Sequence, residues 1–77
     1  METLIDRITV NPDICHGKPT IRGMRYPVEM LLDLLASGMT HQEIMDDYPA
    51  IEDEDIRACL FFAAQLARVK TVNKFVA

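Results

Sequence analysis

Two glycines, Gly17 and Gly23, frame the stretch that most restricts how this chain folds: GKPTIRGMR, Gly17 to Arg25. It holds two of the chain's three glycines, three of its eight Lys/Arg and no acid. Glycine is used where the backbone takes positive φ or lies close to another group. Gly17 and Gly23 are therefore read as structural turns enclosing a shaped ribbon. Thr20 and Ile21 favour extended backbone, and Arg22 and Arg25 need a place for their charge. A strand before this stretch is expected to pair with it, and everything after it reads as helical.

A chain of 77 residues is expected to form one domain over 1–77, near the lower limit for a self-sufficient core. Below roughly 80 residues one core seldom supplies more than about 3–5 kcal/mol. Cys15 and Cys59 stand in unlike contexts without CxxC spacing, so a disulfide framework or zinc site is not expected. Self-association is the remaining source of stability. No apolar run approaches the roughly 18 residues of a membrane span, so a soluble, cytoplasmic protein is expected.

The net charge of −4 divides into three zones. Residues 1–26 carry four basic and three acidic side chains, residues 27–66 carry Arg57 against nine acids, and residues 67–77 carry Arg68, Lys70 and Lys74 with no acid. Contact with nucleic acid is thus expected at the ends of the chain, because the middle repels phosphate.

Arg7–Val10 reads as a strand stopped by Asn11-Pro12, and Pro19–Arg22 as its antiparallel partner, with Met24 and Arg25 extending the ribbon past Gly23. Pro27 suits the first turn of a helix whose face is Val28, Leu31, Leu32 and Leu35, and Gly38 is its structural stop. Met30 and Leu34 add a second apolar flank. Thr40-x-x-Glu43 is a capping box opening a second helix, which Pro49 ends. A third helix runs from about Asp53 to Arg68, with Ile56, Leu60, Ala63 and Ala67 as its inner stripe, flanked by Cys59 and Leu66, and Phe61 opposite, near Arg57, Gln65 and Arg68. The tail, 69–77, shows no clear period.

Two short helices joined at a glycine turn and followed by a longer one have the layout of a helix-turn-helix unit. The fold class is therefore mainly α: a ribbon over 7–26, then a three-helix, homeodomain-like unit over 27–68. Glu52, Asp53, Glu54 and Asp55 open the third helix, where capping and the helix dipole favour acids but a DNA groove does not. Consecutive helical acids diverge and do not converge on one metal ion. No acid–base or nucleophile constellation can be assembled from His16, His41, Ser37 or the cysteines, so no catalysis, cofactor or small-molecule substrate is expected. Lys18, Arg22 and Arg25 are read either as solvated ribbon charges or as contacts to an anionic surface, DNA phosphate or an acidic partner.

The segments NPDICHGKPTIRGMRYPVEMLLDLLASGMTHQEI and DDYPAIEDEDIRACLFFA resemble the bacterial and archaeal family called domain of unknown function 433, which is similar to VapB-type antitoxins. The resemblance spans about residues 8–64. It implies a β-ribbon before a homeodomain-like helix-turn-helix and an antitoxin role beside a PIN-like ribonuclease, with dimers that bind their own promoter. Asn11 stands where the family usually has Asp, Met24 where it often has Thr, and Glu52 where a Thr usually caps the third helix. Asp53 is expected to take over that cap.

The expectation is a non-catalytic antitoxin that is a homodimer and masks a PIN-like nuclease. The alternatives are a stand-alone DNA-binding regulator and a dimeric interaction module. Lys18, Arg22, Arg25, Arg57, Arg68, Lys70 and Lys74 are the candidates for binding the partner or operator DNA. Met30, Leu34, Phe61, Phe62 and Phe75 are the candidates for a dimer or partner interface.

Overall fold

The computed structural model describes residues 3–68. A 3-10 turn over Leu4–Arg7 leads into strand β1 (Ile8–Thr9), which pairs antiparallel with β2 (Thr20–Ile21). Three helices follow: α1 (Val28–Ala36), α2 (His41–Asp47) and α3 (Asp53–Ala67). The expected order of a short ribbon before three helices is the observed one. No helix among the described residues is long and apolar enough to cross a membrane. The candidates Lys70, Lys74 and Phe75, with the rest of the expected tail, lie outside the described residues.

The ribbon is shorter than its β-branched run suggested because each strand is bounded by a turn. Ile8 pairs with Ile21 and Thr9 with Thr20, and the two threonine hydroxyls lie 3.3 Å apart. The loop between the strands closes on a left-handed turn at Cys15, His16 and Gly17, with φ of 50°, 56° and 81°. Asn11 shapes its start by accepting from the Asp13 N–H at 2.9 Å, a role its amide serves as well as a carboxylate.

Met24 and Arg25 do not extend the ribbon. Arg22 and Gly23 both take positive φ, 45° and 72°, and the Met24 N–H donates to the Ile21 carbonyl at 2.7 Å. Two successive left-handed residues reverse the chain, as in primed hairpin turns. The return segment then covers the other edge of β2. Ile21 N–H donates to the Tyr26 carbonyl, and Val28 N–H to that of Pro19. β2 is thus flanked on both sides, and buried Thr20 and Ile21 hold it to the core.

Pro27 lies just before α1, at the N-cap. At the other end Gly38, with φ of 101°, lets its N–H reach the Leu35 carbonyl and the Met39 N–H reach that of Leu34. This paired closure satisfies carbonyls that the helix end leaves open. The Thr40 box forms as expected: Glu43 N–H donates to the Thr40 hydroxyl at 3.1 Å, and Thr40 N–H to the Glu43 carboxylate at 2.8 Å.

The core is Ile21, Val28, Leu31, Ile44, Ile51, Ile56 and Cys59. Met30 and Leu34, expected at an interface, are half-buried and pack against this core. The third helix is rotated from its expected phase. Its buried residues are Asp55, Ile56, Ala58 and Cys59, continued by half-buried Phe62, while Leu60 and Ala67 face solvent. The expected stripe followed apolarity alone and left out the acid that faces inward.

Gly23→Ala should destabilise the protein by about 1 kcal/mol, read from the denaturation midpoint. Nothing lies within 4 Å of an added Cβ, so the cost is that of the backbone conformation. The thiols should also differ. Burial, and then the charge of Asp55, push the Cys59 thiol up to about 12. Ellman's reagent should therefore titrate half-buried Cys15 in the native protein, and Cys59 only after unfolding.

Candidate functional site

Asp55 lies on the inward face of α3 and is fully buried, yet none of its hydrogen-bonding capacity is wasted. Arg22 meets it side-on: Nε donates to Oδ1 at 3.0 Å and Nη2 to Oδ2 at 2.8 Å. Arg7 Nη1 donates to Oδ1 at 3.0 Å, and the Glu52 N–H donates to Oδ2 at 2.8 Å. The same guanidinium groups reach further, Arg22 to the Ala50 carbonyl at 2.8 Å and Arg7 to Glu52 at 2.7 Å. The N-cap of α3 is therefore Glu52 itself, and Asp53 is the first helical residue, not the cap. Burial pushes the Asp55 carboxyl up. The bonds from Arg22, the Glu52 N–H and Arg7 outweigh it and hold the group below its ordinary value.

This lock redistributes the expected binding residues. Arg22 is committed to Asp55, which raises its own affinity for the proton. Lys18 donates to Glu29 of α1 at 2.6 Å, an exposed pair that also raises the lysine's pKa. The two cations thus go to separate acids on separate helices and do not form one anion-binding patch. Arg25 is exposed and has no ion pair among the described residues.

The acids opening α3 are similarly engaged. His41 Nδ1 lies 2.8 Å from Asp53, Glu52 meets Arg7, and Asp55 is locked; Glu54 is exposed and has no side-chain partner among the described residues. Among the described residues no three His, Cys, Asp or Glu side chains converge as a metal site would require.

Two surfaces remain on opposite sides of α3. The outer face presents Arg57, Leu60, Phe61 and Arg68, all exposed. Their guanidinium groups have no hydrogen bond or ion pair among the described residues, and no acid lies between them in sequence. The inner side, towards α1, forms an apolar groove of about 260 Å³ lined by Lys18, Pro19, Val28, Glu29, Leu32, Phe62 and Leu66. Of the expected interface residues, Phe61 belongs to the outer face and Phe62 to the groove. Sequence reasoning missed Arg7 and the buried role of Asp55, and it places Leu60 on the inner stripe where the structure exposes it, while Leu66 lies on the expected inner side. The available signal was Glu52-x-x-Asp55, the spacing of an N-terminal box.

A family model described as "Protein of unknown function (DUF433)" matches residues 8–63. The chain belongs to the DUF433 family. It is similar to the uncharacterized protein y4eO of Sinorhizobium fredii (strain NBRC 101917 / NGR234), 32% identical over 56 residues. That match covers 73% of this chain and 25% of the relative, so the chain spans about a quarter of that protein's length. It also resembles the crystal structure of a DUF433 member protein from Anabaena variabilis ATCC 29413 at 2.00 Å resolution. The TM-score is 0.73 at 30% identity, covering 77% of this chain and 58% of that one. The DUF433 match contains Arg22, Asp55 and the ribbon turn, whereas Leu66 and Arg68 lie beyond it.

Asp55→Asn keeps the shape and removes the charge. At pH 7 it should cost about 3 kcal/mol, since the arginines lose their counter-ion. Because the folded carboxyl is held low, its contribution is present above the ordinary carboxylate pKa and is lost as pH falls through the folded value. The gap between wild type and variant should therefore narrow below about pH 4, as measured by urea denaturation across pH.

Proposed function

We propose that this DUF433 chain is a non-catalytic antitoxin, a cytoplasmic homodimer that neutralises a PIN-like ribonuclease. The observation that carries this reading is the outer face of α3, where two arginines without partners among the described residues flank exposed Leu60 and Phe61. A PIN-like site is a cluster of carboxylates around a metal. A rigid helix presenting two guanidinium groups beside an apolar anchor is complementary to it in charge and shape. The sequence resemblance to VapB-type antitoxins supports the same reading. Repression of its own promoter is a second activity, favoured by Arg25, an exposed cation with no ion pair among the described residues. DNA would then meet the ribbon end, because the first turn of α3 presents acids.

The test is co-purification with a small, carboxylate-rich nuclease encoded beside this chain, followed by an RNA-cleavage assay. Wild-type protein should inhibit cleavage. The double variant Arg57→Glu, Arg68→Glu should inhibit at least roughly tenfold more weakly, because reversed charges face carboxylates. Undiminished inhibition would remove the outer face from the mechanism. In a mobility-shift assay, Arg25→Ala should lower the salt slope by close to one unit, and Glu54→Gln should leave binding no weaker.

A further inference from the structure

We infer that the apolar groove between α1 and α3 is the seat of this chain's own C-terminal segment, residues 69–77, with Phe75 as its anchor. The groove is apolar along Pro19, Val28, Leu32, Phe62 and Leu66, and its volume of about 260 Å³ admits an aromatic ring. Leu66 stands at its edge and is 61% exposed, an apolar side chain that the described residues leave uncovered.

Position selects the occupant. α3 ends at Ala67 with Arg68 as its C-cap, so the chain leaves the helix two residues beyond Leu66, at the edge of the groove. The residues that follow are VKTVNKFVA, in which Val69, Val72, Phe75 and Val76 are joined by two lysines and no acid. Phe62 lies about 9 Å back along the helix axis from Arg68, and the steps from Val69 to Phe75 span up to about 20 Å. Phe75 therefore reaches the groove once the chain reverses. A tether this short supplies an effective concentration on the order of millimolar, which any separate apolar segment has to exceed.

Charge favours the same segment. The α1 wall carries Glu29 and Asp33 one turn apart, and no base. Lys18 takes up Glu29 at 2.6 Å, whereas the exposed Asp33 has no side-chain partner among the described residues. Residues 27–66 hold nine acids against Arg57 alone, and Lys70 and Lys74 bring the opposite charge to that excess. Seated in this way, the segment leaves the outer face of α3 open, because Phe62 and Leu66 lie on the opposite side of the helix from Arg57 and Phe61.

A double-mutant cycle on the full chain tests the seat, read as the thermal midpoint by far-UV circular dichroism. Leu66 and Phe75 form the pair, since Leu66 stands outside the buried core and its truncation leaves that core intact. Leu66→Ala and Phe75→Ala should each lower the midpoint by about 4–8 °C. The double variant should lower it no further than one of them does, because both lose the same contact. The shifts should also hold across a dilution series. A Phe75→Ala midpoint equal to that of wild type overturns the proposal, and so do shifts that simply add. Shifts that vanish on dilution overturn it as well, because the groove would then be filled by the tail of a second copy.

Discussion

The fold turns on one buried carboxylate. Removing Asp55 from water carries a desolvation cost of several kcal/mol, and the chain offsets it with three arginine bonds and one backbone N–H. Each partner comes from a different part of the sequence: Arg7 before the ribbon, Arg22 at its turn, Glu52 at the start of α3. The interaction therefore joins ribbon to helix bundle. A two-stranded ribbon is marginal alone, and here its turn and entry are both tied to the same helix. Arg22 sits in a left-handed conformation that ordinarily disfavours a side chain with a Cβ. Its bidentate grip on Asp55 compensates for that position.

The same carboxylate sets the rotation of α3. With Asp55 turned inward, Cys59 and Phe62 follow on the buried side, and Leu60 and Phe61 are carried out. One helix consequently has apolar residues on two sides, for which a single 77-residue core has use for only one. The outer apolar residues lie between arginines, whereas the groove beside Phe62 is walled by α1, whose only charges are acidic. That difference in electrostatic surroundings is a basis for assigning the faces to different occupants.

Local chemistry was legible in the sequence and tertiary chemistry was not. The Thr40–Glu43 box and the Gly38 stop depend on neighbours within a few positions, and both occur where the residues indicate, while Pro27 stands one position earlier than expected, at the N-cap of α1. The phase of α3 depends on arginines 33 and 48 positions away from Asp55. A hydrophobic count over 53–68 cannot include them, so Leu60 was placed inside and Asp55 outside. The cations of GKPTIRGMR read as solvated charges or as contacts to an anionic surface, yet Lys18 and Arg22 find their acids within the chain. Met30 and Leu34 were assigned to an interface because one helix seemed to need fewer apolar positions. Both are half-buried and pack against the core cluster, as do Tyr26 and Tyr48, which meet edge to face at 5.7 Å.

The lock also bears on how an acidic protein carries exposed arginines on one face of α3. Of the eight Lys/Arg, Arg7, Lys18 and Arg22 are neutralised within the described fold, as are Glu29, Glu52, Asp53 and Asp55, the aspartate at 53 by His41 when protonated. Pairing these acids beside the ribbon and the start of α3 removes much of the repulsion that a carboxylate-rich partner would meet there. Among the described residues the side chains of Arg57 and Arg68 have no ion pair; Arg57 stands in the second turn of the 15-residue α3, one turn after exposed Glu54, and Arg68 is the C-cap at its far end. A flexible basic segment would lose conformational entropy on docking, whereas a helix already fixed by a buried ion triad has lost it on folding. On the proposed masking role, the internal salt bridges would fix the outer face for binding without contributing an atom to it.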